Sequence, residues 1–145
     1  MNFRNYLTLA RTLAGGTTEA EWRSASSRAY YAAFHVARLL LLGLGFRVPQ
    51  ADRAHAYLWL RLSNAGHAGT IKAGSRLGLL RRERNWADYD ERRTIIQAAA
   101  VQSVRSAEEI IQALDAAAVE PVRTQIIDAM KIYDRDVLHD VTWHP

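Results

Sequence analysis

Two long stretches of this chain repeat small or apolar residues every three or four positions, and that repeat limits the possible fold more than any other feature. Between about residues 19 and 42, Trp22, Ala25, Ala29, Ala33, Val36 and Leu40 share one face of a helical wheel. Between about 91 and 116 the stripe is Ile96, Ala99, Ala100, Ser103, Ala107, Ile110, Ile111 and Leu114. This period belongs to helices that bury one face, and the small residues in mid-stripe let another helix approach closely. No segment has a convincing strand pattern. Ala and Leu dominate while Gly (8) and Pro (3) are few, which argues against a small all-β fold. The expected class is all-α: an antiparallel bundle of four to five helices plus a C-terminal helix.

The remaining segments fit that architecture. A first helix is expected over about 2–13, stopped by Gly15-Gly16. Thr18 and Glu21 form a capping-box pattern before the long second helix, which ends at Gly43 and Gly45. Its opposite face carries Ser24, Arg28, Tyr31, His35 and Arg38 and reads as polar. Further helices are expected over about 52–64 and 69–82, the latter weakened by Gly74 and Gly78. Residues 83–90 (ERNWADYD) break the amphipathic pattern, and Asp90 is placed to cap the helix that follows. Pro121 suits the first turn of a last helix, about 121–138, with an irregular tail after it. The 145 residues suit one domain, with a core over about 4–116 and an extension over 117–145.

Charge divides the chain unevenly. Residues 1–82 carry 12 basic and 3 acidic side chains, net +9; residues 83–145 carry 7 and 12, net −5. Seventeen of the 19 basic residues are Arg, the side chain suited to bidentate contact with phosphate or carboxylate. A polyanion or an acidic partner fits such a half, as does packing of the basic half against the acidic one. With no cysteine, thiolate metal sites, thiol nucleophiles and disulfides are excluded. The acids and histidines of the tail (Asp134, Asp136, His139, Asp140, His144) match no standard ligand spacing, and no Gly-rich phosphate loop occurs, so neither a metal nor a cofactor is expected. The apolar run Leu39 to Phe46 is too short to span a bilayer, and the N-terminus lacks a signal peptide's pattern, so a cytoplasmic protein away from membranes is expected.

The stretch Ser24-Ala-Ser-Ser-Arg28-Ala-Tyr30-Tyr31-Ala-Ala-Phe34-His35, followed some 50 residues later by Arg84-Asn85-Trp86-Ala87-Asp88-Tyr89-Asp90, resembles the HEPN superfamily. It is most similar to the small stand-alone HEPN proteins. The resemblance covers roughly residues 4–116. It implies a helical bundle that forms a homodimer. It implies action on RNA, as a metal-independent endoribonuclease or as the toxin component of a toxin–antitoxin or defence system. The alternative it implies is a non-catalytic module that binds RNA or partners a minimal nucleotidyltransferase.

Under that resemblance Arg84 matches the family's phosphate-contacting Arg and Asn85 the polar residue after it. The family's His is absent: four to six residues beyond Arg84 the chain has Tyr89, Asp90 and Glu91. Metal-free RNA cleavage needs a group to take the 2′-hydroxyl proton, one to protonate the 5′-oxygen, and a cation for the phosphorane charge. Asp88, Tyr89 and His35 are the candidates for proton transfer beside Arg84 and Asn85. His35 qualifies only if the second helix turns that face towards residues 83–90; otherwise it is a half-buried helix histidine. The spacings Arg28 to His35 and Arg61 to His67 also fit the family pattern, but with this many arginines such matches arise by chance. Arg84 and Asp88, four apart on a helix, also suit a plain ion pair. Arg28, Tyr31, Arg81 and Arg82 are the candidate RNA contacts, with Trp86 and Tyr89 interleaved among the arginines as stacking surfaces.

Overall fold

The computed structural model describes residues 1–145 and is all-helical. Six α-helices follow in order: α1 (Asn5–Ala14), α2 (Glu19–Gly43), α3 (Arg53–Ser63), α4 (Ala68–Tyr89), α5 (Gln97–Ala117) and α6 (Val122–Tyr133). A single π-helical turn, Asp134–Leu138, extends α6. No helix is long and apolar enough to cross a membrane. The helices form two compact units, each assembled from segments distant in sequence: residues 1–35 with 76–110, and residues 36–75 with 111–145.

In the first unit, α1 buries Leu7, Ala10 and Ala14. α2 contributes Ala25, Ala29, Ala32 and Ala33, all fully buried. Side chains this small let helices meet at backbone distance. Ser26 of α2 and Ser103 of α5 have their hydroxyls 3.1 Å apart, and Ser103 donates onward to Glu83. The capping box forms: the Glu21 N–H donates to the Thr18 hydroxyl, and the Glu21 carboxylate accepts from that hydroxyl and from the Thr17 N–H. These bonds hold the Glu21 carboxyl below its ordinary pKa. The face expected to be polar is half-buried rather than solvated, since Arg28, Tyr31 and His35 lie among aromatic neighbours. The α5 stripe is buried from Ala100 through Leu114, but Ile96 precedes the helix and is 57% exposed.

Helix α4 corrects the expected break. It runs unbroken through residues 83–89, and α5 starts at Gln97 rather than near Glu91. Arg23 of α2 explains both shifts. Its guanidinium donates to the carbonyls of Trp86, Ala87 and Asp90, which terminates α4, and to that of Arg93 in the following loop. A charged donor thus does what a helix C-cap does. Glu19 fixes the loop from the other side: its carboxylate accepts the Ile95 N–H at 2.9 Å and pairs with Arg23 at 3.1 Å. Asp90 caps no helix; its carboxylate accepts the Arg92 N–H inside the loop.

In the second unit, Gly74 of α4 packs against the end of α3 so closely that a Cβ there would lie 2.5 Å from the Ser63 nitrogen. The glycine expected to weaken α4 is what admits α3. The tail is ordered. Thr142 accepts the Arg47 N–H, the His144 N–H reaches the Gly45 carbonyl, and Phe46 and Trp143 form one isolated antiparallel bridge. Below them lies a buried ion pair, Arg61 Nε to Asp134 Oδ1 at 2.8 Å, with the residues 3% and 1% exposed. Asp134 also accepts the backbone and hydroxyl of Thr142, so the pair and the tail hold each other.

Candidate functional site

The arginine-centred site lies in the first unit, where α2 and α4 present the residues singled out from the sequence. Arg84 is one turn before Asp88, and its Nε meets Asp88 Oδ2 at 2.8 Å. Its Nη1 donates to Asn85 Oδ1 at 3.0 Å. The guanidinium carbon lies 5.0 Å from the Tyr31 ring centre and 5.4 Å from that of Tyr89. The Arg84 side chain keeps 14% exposure, whereas Tyr89 is 73% exposed. Arg84 is therefore paired within its own helix, as the i,i+4 spacing allows. It is also enclosed by aromatic rings from α2 and α4.

Arg28 supplies a second cation. Its guanidinium sits 4.9 Å from the Tyr6 ring and 5.2 Å from the Tyr31 ring, with no carboxylate partner. Arg81 supplies a third. Both Arg81 and Arg84 act on the buried Tyr30 hydroxyl, partly offsetting the burial that pushes its pKa far above the ordinary phenol value. Tyr31 raises it a little further. Arg28 and Arg84 thus both lie against the Tyr31 ring, Arg81 adds positive charge felt at Tyr30, and Asp88 is the carboxylate paired with Arg84. Only its Oδ2 is engaged, by Arg84 and by the Ser27 hydroxyl at 3.1 Å. Its other oxygen carries no hydrogen bond.

His35 lies on the same α2 face, one turn beyond Tyr31. Its ring stacks on Phe3 at 3.7 Å, nearly parallel, with Tyr31 and Phe34 beside it. Phe3, just before α1, therefore covers His35, and Tyr6, in the first turn of α1, lies against Arg28. Arg82 is exposed on α4 and forms no ion pair or hydrogen bond with this group. Trp86 is turned away from it, its ring stacked with the Arg93 guanidinium at 3.8 Å.

Ser27, Tyr6, Phe3 and Tyr30 were not singled out from the sequence. Ser27 had a signal, since Ser27, Tyr31 and His35 repeat every four residues on one helix face. Phe3 and Tyr6 had none, because their contacts lie far along the chain. Chemically, the arrangement can hold an anion: Arg28 is positioned by rings with no acid beside it, and the Arg84 pairing with Asp88 leaves guanidinium N–H groups open.

Among known families, the model described as HEPN domain matches residues 6–117. No curated protein and no solved structure matches the chain.

Proposed function

From the premise that this chain belongs to the HEPN domain family, we propose that it acts on RNA and grips the phosphodiester backbone where Arg28, Arg81 and Arg84 converge. The observation that carries this reading is the local charge balance: the Arg28 and Arg84 guanidinium groups both lie against the Tyr31 ring, and Asp88 is the one carboxylate paired with either. Arg84 meets phosphate oxygens through the N–H groups that Asp88 and Asn85 leave open. Asn85, with its amide oxygen turned to Arg84, has its amide N–H groups for the same oxygens. Tyr31 and the exposed Tyr89 offer ring faces to unpaired bases.

A second reading, metal-independent cleavage, is favoured by the open oxygen of Asp88 beside Arg84. That oxygen would take the 2′-hydroxyl proton as the 2′-oxygen bonds to phosphorus, Arg84 would stabilise the phosphorane charge, and the bond to the 5′-oxygen would break as that oxygen takes a proton back from the Asp88 carboxyl. With this reading goes the proposal of a homodimer and of a role as toxin or defence component. Under the binding reading the chain is a module for RNA or for a nucleotidyltransferase-type partner, with the Tyr89 hydroxyl facing that partner.

Fluorescence anisotropy with a labelled single-stranded RNA in EDTA tests the proposal, with the same samples run on a gel. Binding should weaken with salt, and Arg84→Ala should weaken it roughly tenfold or more. Absence of binding at low salt, or equal binding by Arg84→Ala, overturns the proposal. RNA shortened by the native chain but by neither Arg84→Ala nor Asp88→Asn assigns the enzyme. RNA bound and left intact assigns the module.

A further inference from the structure

The extension beyond residue 117 lies outside the family match, and it builds something of its own. A cavity of about 440 Å³ opens between the start of α3 and the tail, entirely within the second unit. That volume is in the usual range for small-molecule sites. Val48, Pro49 and Leu60 line it together with Leu138 and, from the tail, Thr142. The lining is mainly apolar, and the buried Arg61–Asp134 pair joins α3 to the tail.

Charged side chains also border this apolar slot. Arg47 and Arg53, both exposed, line it, and neither side chain has a carboxylate or hydrogen-bond partner. Asp140 is the one acid in the lining, and Arg61 is cancelled by Asp134. The balance is a single net positive charge beside an apolar slot. A polyphosphate or a long nucleic acid would face Asp140 and leave the apolar walls unused.

We infer that this pocket binds a small organic monoanion, an acid with one carboxylate, sulfonate or phosphate ester group on an aromatic or branched aliphatic body. The acid group sits between Arg47 and Arg53, and the body lies against Leu60 and Leu138. The tail is part of the site, since Leu138, Asp140 and Thr142 line it. This site shares no residue with the Arg84 group, so the two readings stand or fall separately.

Anilinonaphthalene sulfonate is a suitable probe: a monoanion on an aromatic body, whose fluorescence rises on leaving water. Titration into the native chain should give saturable binding at one site. The double variant Arg47→Ala/Arg53→Ala changes only exposed side chains and should raise the dissociation constant roughly tenfold or more, with an unchanged thermal melt. Leu60→Trp should abolish binding by filling the slot. If that variant fails to fold, the arginine pair alone decides. Inorganic phosphate should compete at least an order of magnitude more weakly than the probe, because it lacks the body. No saturable binding, an unchanged constant in the folded double variant, or phosphate competing as well as the probe overturns the inference.

Discussion

The Ser27 hydroxyl donates to Asp88 Oδ2 across a sequence separation of 61 residues, on the same oxygen that pairs with Arg84. One carboxylate oxygen therefore joins α2 to α4 and sets the direction of the Arg84 guanidinium. Asp88 has two effects on a bound phosphate that oppose each other: it aims the arginine and it offsets the charge. Replacing it by Asn keeps an oxygen for Arg84 and Ser27 but removes the negative charge. Asp88→Asn should fold normally and bind single-stranded RNA several-fold more tightly at low salt, read by anisotropy. Weaker binding would mean that aiming outweighs charge.

Arg23 holds four carbonyls at the junction of α4 with the following loop. Lys in its place keeps the charge but lacks the planar fork that reaches several acceptors at once. Arg23→Ala and Arg23→Lys should both lower stability, the first by about 3 kcal/mol and the second by most of that. Urea unfolding followed by circular dichroism measures the difference.

The Glu19 carboxyl is held below its ordinary pKa, chiefly by the Ile95 N–H and then by Arg23. A carboxyl lowered in the folded chain stabilises it above the unfolded value, and that contribution disappears as pH falls through the lowered folded value. Stability should therefore decline as pH drops below the ordinary glutamate range, near pH ~4. Glu19→Gln should start less stable at neutral pH and lose less on acidification, by comparison of urea midpoints across that range.

Arg61 and Asp134 form an ion pair with almost no exposure. Removing one partner leaves a buried charge alone, which costs about 3–5 kcal/mol. Asp134→Ala should lower the melting temperature by roughly 10 °C and raise amide exchange at Thr142, which donates to Asp134. Replacing both, as Arg61→Met/Asp134→Leu, should recover much of the melting temperature but not the protection at Thr142.

The helix stripes were legible because burial imposes its period on small and apolar residues. Ala25, Ala29 and Ala33, and Ala100 through Leu114, are buried as the period implies. The Arg84–Asp88 pair was legible too, as a local spacing. The continuation of α4 was not. Residues 83–89 are mostly polar because Arg84 and Asp88 face Tyr31 and Ser27 of α2, while Glu83 on the other side meets Ser103 of α5. A helix with polar contacts on both sides loses the apolar period that would announce it. The ordered tail was hidden for a related reason: Thr142 and Trp143 gain their meaning from Asp134, Tyr57 and Leu44, partners that no local pattern reveals.

Gly45 has φ of +103°, and a Cβ on it would lie 2.9 Å from the Trp143 indole nitrogen and 3.1 Å from Pro145. The last residues of the chain thus lie over a position that tolerates no side chain. Gly45 is consequently a genetic latch for them. A single methyl group there would push the terminal segment outward while leaving every charged residue in place, so the roles of shape and charge in closing the second unit become separable.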